Sequence, residues 1–321
     1  MVEGTTTGPR RLMLTGATGF IGRALSRSAS LAGHEVVEAR RSPGGPGSAA
    51  RQVVLGDFSE TTDWSPALHG VEVVVHCAGL AHVAGEDRDA EVAFRRVNVE
   101  ATRCLAGQAA AAGVRRFVFI SSIGVNGSQN VQPFTEQDAP APTEPYAISK
   151  LEAEQGLFEL GKRTGMEIVV IRPPLVYGPD APGNFGKLVN WVNRGIPLPL
   201  ACIQNKRSLV ALDNLVDFIT VCVQHPAAAN EVFLVADGHD LSTPELLQRV
   251  GHALGRPARL FPVPPKLLHF CAGVVGRKTM AEKLCGSLQV DIGKARRLLG
   301  WQPPFGVDEA LLRSLRVGDS S

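Results

Sequence analysis

The sequence predicts a doubly wound α/β fold, a parallel sheet covered by helices on both faces, with a smaller, mostly helical C-terminal region. Three observations predict it. Short, almost continuously apolar runs recur through residues 11–172, longer amphipathic segments lie between them, and a glycine-rich turn closes the first run. A strand buried on both faces of a parallel sheet reads as an unbroken apolar run rather than an alternating one.

The strands in order are 12–15, 35–39, 52–55, 71–76, 116–121 and 167–172, with helices at 21–32, 90–112 and 146–163. Such alternation implies right-handed crossovers. GGPGS at 44–48 is a flexible loop inside this region. Beyond Pro173, Pro, Gly and Asn accumulate up to residue 206, broken by one helix at 185–194. A strand at 209–212, a helix at 214–224 and a strand at 232–235 follow. Helices at 244–254, 264–275 and 291–299 complete the chain, with a frayed tail beyond residue 315.

Composition narrows the function. The 321 residues carry a net charge of +2, with 44% hydrophobic and 20% charged residues, an ordinary balance for a globular protein with a sizeable core. No long basic block stands out, which argues against a nucleic-acid partner. The six cysteines lack CxxC spacing, so neither a metal site nor a disulfide framework is expected. The N-terminus has no apolar leader segment, and the longest apolar stretch, 267–276, is about half of a bilayer span. The chain is therefore expected to be soluble and cytoplasmic, without a membrane partner.

The turn Thr15-Gly16-Ala17-Thr18-Gly19-Phe20-Ile21-Gly22 follows the first strand and opens a helix. Gly16 suits a tight turn, Gly19 a close backbone approach to a pyrophosphate, and Gly22 tight packing of helix on sheet. Thr18, Phe20 and Ile21 sit where the helix start offers its N–H groups and positive dipole to phosphates. A Rossmann dinucleotide-binding unit over 9–178 is expected, with 207–239 partly returning to it. Segments 179–206 and 240–316 are left as the substrate-binding region.

In NAD enzymes an acidic residue ends the second strand and holds the adenosine ribose. Here that position is Arg40, followed by Arg41; a guanidinium suits a 2′-phosphate and stacks on adenine. Glu38 is the competing acidic residue, but its offset places it too early. The reading is NADP(H), with NAD as the alternative.

Tyr146 and Lys150 stand four apart in YAISK, on one helix face, 24 residues beyond Ser122. An isolated phenol titrates near about 10; a nearby ammonium stabilises the phenolate, so Tyr146 can exchange a proton with a substrate hydroxyl or carbonyl.

These motifs resemble the extended short-chain dehydrogenases/reductases, in the nucleotide-sugar group typified by UDP-galactose 4-epimerase. TGATGFIG, GDF at 56–58, HCAG at 76–79, NVEAT at 98–102, SSIGVNG at 121–127, YAISK, RPPLVYGP at 172–179 and DIGKARRLLGWQP at 291–303 follow that group's order. The resemblance implies that Ser122 hydrogen-bonds the reacting oxygen, Tyr146 is the acid/base and Lys150 holds the nicotinamide ribose. It implies that Asn98 supports the helix carrying both, or a proton relay. Asp57 and Phe58 would flank the adenine, and Ala78, Gly79 and Pro173 would line the cofactor. Asn184 and Arg207 match positions that grip a UDP diphosphate. The group's second arginine is missing, with only Lys283 near that place. A homodimer is implied by the resemblance alone.

A 4,6-dehydratase needs a Thr-Asp-Glu run where this chain has Ser122-Ile123-Gly124. Two reactions remain. Arg40-Arg41, with the likeness of NKRSLVALDNLVDF and LCGSLQVDI to the UDP-N-acetylquinovosamine-forming reductases of O-antigen pathways, puts NADPH-dependent reduction of a UDP-linked 6-deoxy-4-hexulose first. An NAD-dependent UDP-sugar 4-epimerase is the alternative. A non-enzymatic NADP-binding sensor is the remote one, since Ser122, Tyr146 and Lys150 are all retained.

Overall fold

The computed structural model describes residues 10–43, 50–81, 87–274, 282 and 284–316. The 44–48 loop, residue 9, Lys283 and the last five residues of the tail lie outside the described residues, as does the end of the 264–275 helix.

Seven parallel strands form one sheet: β1 (Arg11–Thr15), β2 (Glu35–Arg40), β3 (Arg51–Val54), β4 (Val73–His76), β5 (Arg116–Ile120), β6 (Glu167–Arg172) and β9 (Glu231–Leu234). Their spatial order is β3-β2-β1-β4-β5-β6-β9. The winding reverses between β1 and β4, and in such sheets ligands bind in the crevice at the carboxyl ends beside that reversal. β4 and β5 are buried at every position, as two-sided coverage requires.

One face packs on α1 (Phe20–Leu31) and α7 (Leu212–Gln224), the other on α2 (Ser65–Leu68), α4 (Ala101–Ala111) and α5 (Pro145–Thr164). A third apolar cluster joins the short parallel pair β7 (Leu175–Tyr177) and β8 (Leu209–Ala211) to the later helices. These are α6 (Asn184–Asn193), α8 (Thr243–Ala253), α9 (Pro265–Val274) and α11 (Val307–Arg316); α10 (Gly293–Leu299) packs instead on the α1–α7 face.

Arg116 ties the halves together. It is fully buried, and its Nη1 donates to the carbonyls of Cys222 (2.6 Å), Val223 (3.1 Å) and His225 (2.9 Å), at the end of α7. A helix end leaves carbonyls without intrahelical partners, and a cation there also suits the dipole.

Three features differ from the sequence reading. The predicted helix 90–112 is α3 (Asp87–Phe94), a wide π-helical segment at Arg95–Glu100, and then α4. β7 forms where a proline-rich irregular stretch was expected, and α11 continues the chain past the helix predicted to be its last.

Candidate active site

The glycine turn sits at the crevice. Gly16 has φ 71°, and a Cβ there would lie 2.7 Å from the Ala78 nitrogen, so this position has room only for hydrogen. Gly22 packs against the Gly16 carbonyl, which a Cβ would meet at 2.1 Å. Thr18 and Gly19 are exposed, whereas the Phe20 and Ile21 side chains pack into the core and leave their backbone at the helix start. Gly19 is the N-cap of α1, and no side chain caps it. The uncapped N–H groups suit a pyrophosphate.

The end of β2 is arranged differently from the sequence reading. Glu38 is buried, not displaced, and shares its strand face with Arg40. It accepts from the Ser26 hydroxyl at 2.5 Å and from Arg40 Nε and Nη2 at 2.9 and 2.6 Å. The Arg40 charge is thus matched by a carboxylate, which takes one member out of the Arg40-Arg41 pair on which the NADP(H) reading rested. Arg41 is exposed. Asp57 is exposed beyond β3, while the Phe58 ring packs inward on Trp64, with centroids 4.6 Å apart.

Ser122 follows β5, and its Oγ accepts from the Gly124 N–H at 3.1 Å. That acceptance leaves the hydroxyl hydrogen for another acceptor. The Ile123 N–H donates to the Pro173 carbonyl (3.0 Å), which anchors the Ser122 turn to the segment after β6. Tyr146 and Lys150 occupy the first turns of α5. Pro145 pre-sets the helix entry, and Gly165 with φ 80° closes the far end.

Lys150 is buried; its Nζ donates to the Ile120 carbonyl (2.9 Å), lies 4.4 Å from the Phe119 ring centroid and 6.0 Å from that of Tyr146. Burial pushes the ammonium down to about 8 and the Tyr146 phenol up to about 12. The expected lowering of the phenol is therefore not present in the protein alone, because desolvation of a phenolate outweighs an ammonium at this separation.

Behind them, Glu154 pairs with Arg172 through two hydrogen bonds (3.0 and 2.5 Å) and accepts from the Ser121 hydroxyl. Arg172 also donates to Asn126 (2.9 Å). Asn98 lies on the inner side of the π-helical segment. It clamps the Leu80 backbone at 2.8 and 3.0 Å and donates to Ser149 of α5 at 3.0 Å. Gly79 leaves open the space over Lys150, where a Cβ would come within 3.2 Å of both Nζ and Asn98 Oδ1. Glycine turn, uncapped helix start and open floor over the lysine together fit a nicotinamide dinucleotide.

A cavity of about 800 Å³ opens beside this floor. Ser122 and Tyr146 line it, as do Asn184 at the start of α6 and Arg207 before β8. Arg207 is fixed by paired backbone bonds with Leu241 (2.8 and 3.0 Å) and by its Nη1 on the Gly286 carbonyl (3.1 Å). The sequence reading missed Lys187 and Trp191, which α6 also presents to the cavity. Lys187 stands three residues beyond Asn184, and that helical spacing was the available signal. Among the described residues no cluster of His, Cys, Asp and Glu could hold a metal ion.

A doubly wound sheet with a glycine phosphate turn and a Ser-Tyr-Lys set on its carboxyl side defines a nicotinamide-dependent enzyme of the extended short-chain type. Residues 12–236 match the NAD dependent epimerase/dehydratase family, and the chain belongs to it. It is 43% identical over 331 aligned positions to a UDP-glucose 4-epimerase of Vibrio cholerae, covering 99% of this chain and 98% of that protein. Two solved structures share the fold at lower identity. One, with UDP-glucose, is the UDP-glucose 4-epimerase of Thermotoga maritima (23% identity, TM-score 0.76, 95% and 97% of the two chains). The other is a UDP-N-acetylglucosamine 4-epimerase from Bacillus cereus (19%, TM-score 0.78, 97% of each).

Proposed function

We propose that the protein is an NAD-dependent 4-epimerase of a UDP-hexose, with UDP-glucose as the first substrate to test. The observation that carries this reading is the 43% identity, over nearly the whole chain, to the Vibrio cholerae UDP-glucose 4-epimerase. The matched charge of Arg40 supports NAD over NADP(H). Both reverse the order in which the sequence reading placed reductase and epimerase.

In this reading residues 9–178, with 207–239, carry the dinucleotide. Gly16 to Gly22 cradle its pyrophosphate, Ala78, Gly79 and Pro173 border its nicotinamide half, and Asp57 lies toward the adenine. A nicotinamide held there would supply the acceptor and donor of the C4 hydride. Tyr146 takes the C4 hydroxyl proton and gives it back, while the outward hydrogen of Ser122 steadies the oxygen as charge develops. Lys150, charged below pH about 8, offsets the phenolate and reaches the ribose. Segments 179–206 and 240–316 form the substrate side, where Asn184, joined by Arg207 at the first residue of the returning segment, holds the diphosphate and Lys187 supplies the second cation. The cavity gives a 4-keto sugar room to present its opposite face. We also place the enzyme in the cytoplasm as a homodimer. Among the described residues no helix is long and apolar enough to cross a membrane.

The test is product analysis by NMR. Purified enzyme with UDP-glucose and NAD should form UDP-galactose without net coenzyme turnover. The second reading, favoured by Arg41 at the adenosine end, is NADPH-dependent reduction of a UDP-6-deoxy-4-hexulose. Stoichiometric NADPH oxidation with such a keto sugar, and no epimerisation of UDP-glucose, would replace the first reading with this one.

A further inference from the structure

We propose that Glu38, held by Ser26, is the residue that sets coenzyme selectivity, by occupying the guanidinium of Arg40 and denying it to a 2′-phosphate. The inference rests on the dinucleotide reading of the crevice and names the group that decides which dinucleotide enters.

The geometry is specific. Residues two apart on a strand share a face, so Glu38 and Arg40 both point to the α1 side of β2, where Ser26 of α1 meets them. The Glu38 side chain is 3% exposed and that of Arg40 12%. One carboxylate oxygen accepts from Ser26; the other accepts both Nε and Nη2 of Arg40. The carboxylate is therefore pinned on the helix side and cannot swing away to release its partner.

A 2′-phosphate needs a cation whose charge is not already matched. Here the phosphate would meet a guanidinium whose charge the buried Glu38 carboxylate already matches. An adenosine ribose has no such conflict, because the Nη1 edge of Arg40, which carries no hydrogen bond among the described residues, can still face its hydroxyls. Arg40 thus acts as a flat, neutralised wall in NAD binding. Glu38 is a positioning residue that acts through it.

The test measures affinities of the purified full-length protein for ADP-ribose and for 2′-phospho-ADP-ribose by isothermal titration calorimetry. The wild type should prefer ADP-ribose. Glu38→Gln keeps the shape and the Ser26 contact but frees the Arg40 charge, so the ratio should move toward the 2′-phosphorylated ligand by about tenfold. In the Glu38→Gln/Arg40→Gln double variant that gain should vanish. An unchanged ratio in folded Glu38→Gln overturns the proposal while the crevice reading stands, as does a gain that survives the double change. Failure of both ligands to bind the wild type overturns both. Should Glu38→Gln not fold, Ser26→Ala, which only unpins the carboxylate, should shift the ratio in the same direction, and no shift rejects the role of Glu38.

Discussion

At the scale of single residues, the chemistry turns on two groups whose ionisation is moved in opposite directions by the same burial. Lys150 is pushed down to about 8, so it loses its charge just above neutrality, and with it the support it gives Tyr146. Profiles of kcat/KM report the free enzyme, so kcat/KM should decline as pH rises through about 8; a flat profile to pH 10 would place another group in this role. Tyr146→Phe removes the proton carrier and should lower kcat by about two to four orders of magnitude, with ADP-ribose affinity nearly unchanged by calorimetry. The chain has only two tyrosines, and Tyr177 is also pushed upward by burial, beside Asp237, to which it donates at 2.8 Å. Near-ultraviolet titration of the native protein should therefore show almost no phenolate at pH 10.5, where the unfolded chain shows both.

These side chains were legible in the sequence because each belongs to a spaced motif: YAISK, SSIG and the glycine turn. The partnership of Glu38 with Arg40 was not. An i, i+2 pair on a strand carries no more signal than any two charged neighbours, and only the burial of Ser26 under the same face turns it into a triad.

At the scale of elements, α5 is the part that must not move, and it is held from two sides. Asn98 grips it through Ser149, and Glu154 binds Arg172 at the end of β6, with both partners nearly dry. Removing one member of such a pair strands the other, at a cost of about 3–5 kcal/mol. Arg172→Met should lower the unfolding free energy by that amount in urea titrations; a loss below about 1 kcal/mol would mean that water reaches Glu154. The π-helical segment that turns Asn98 inward was invisible beforehand, because hydrophobic periodicity registers a helix and not one wide turn within it. β7 was hidden by Pro173, Pro174 and Pro179 around a three-residue strand. α11 could have been found: Val307, Ala310 and Leu311 repeat at helical spacing, with Asp308 and Glu309 in its first turn.

At the scale of the whole molecule, the depressed groups give stability a pH dependence with a definite sign. Burial pushes His76 down to about 3, from 6.5, and Lys150 to about 8, from 10.5. In each window the unfolded chain binds more protons, so stability rises with pH. The His76 contribution is complete above 6.5 and is lost as pH falls toward 3; the Lys150 contribution is complete above 10.5 and already lost at 8. Tyr146 opposes it from 10 upward, since its raised value favours the native state only while the phenol keeps its proton. The raised thiols of Cys77 and Cys222 oppose it from 9 upward as well, so the measure is a comparison. From pH 7.5 to 9.5 the wild-type urea midpoint should rise relative to that of Lys150→Met, and equal changes in the two proteins would deny Lys150 this effect.

The grip of Arg116 on the end of α7 reaches beyond equilibrium stability. During synthesis β5 leaves the ribosome more than a hundred residues ahead of the carbonyls its first side chain needs, and β9, the edge strand beside β6, arrives later still. The early half therefore waits with a cation at its base and one sheet edge uncovered. A polypeptide stopped at residue 205 should accumulate as aggregate rather than as a small nucleotide-binding protein, so the part of this chain made before β8 is not a portable module for fusion or grafting.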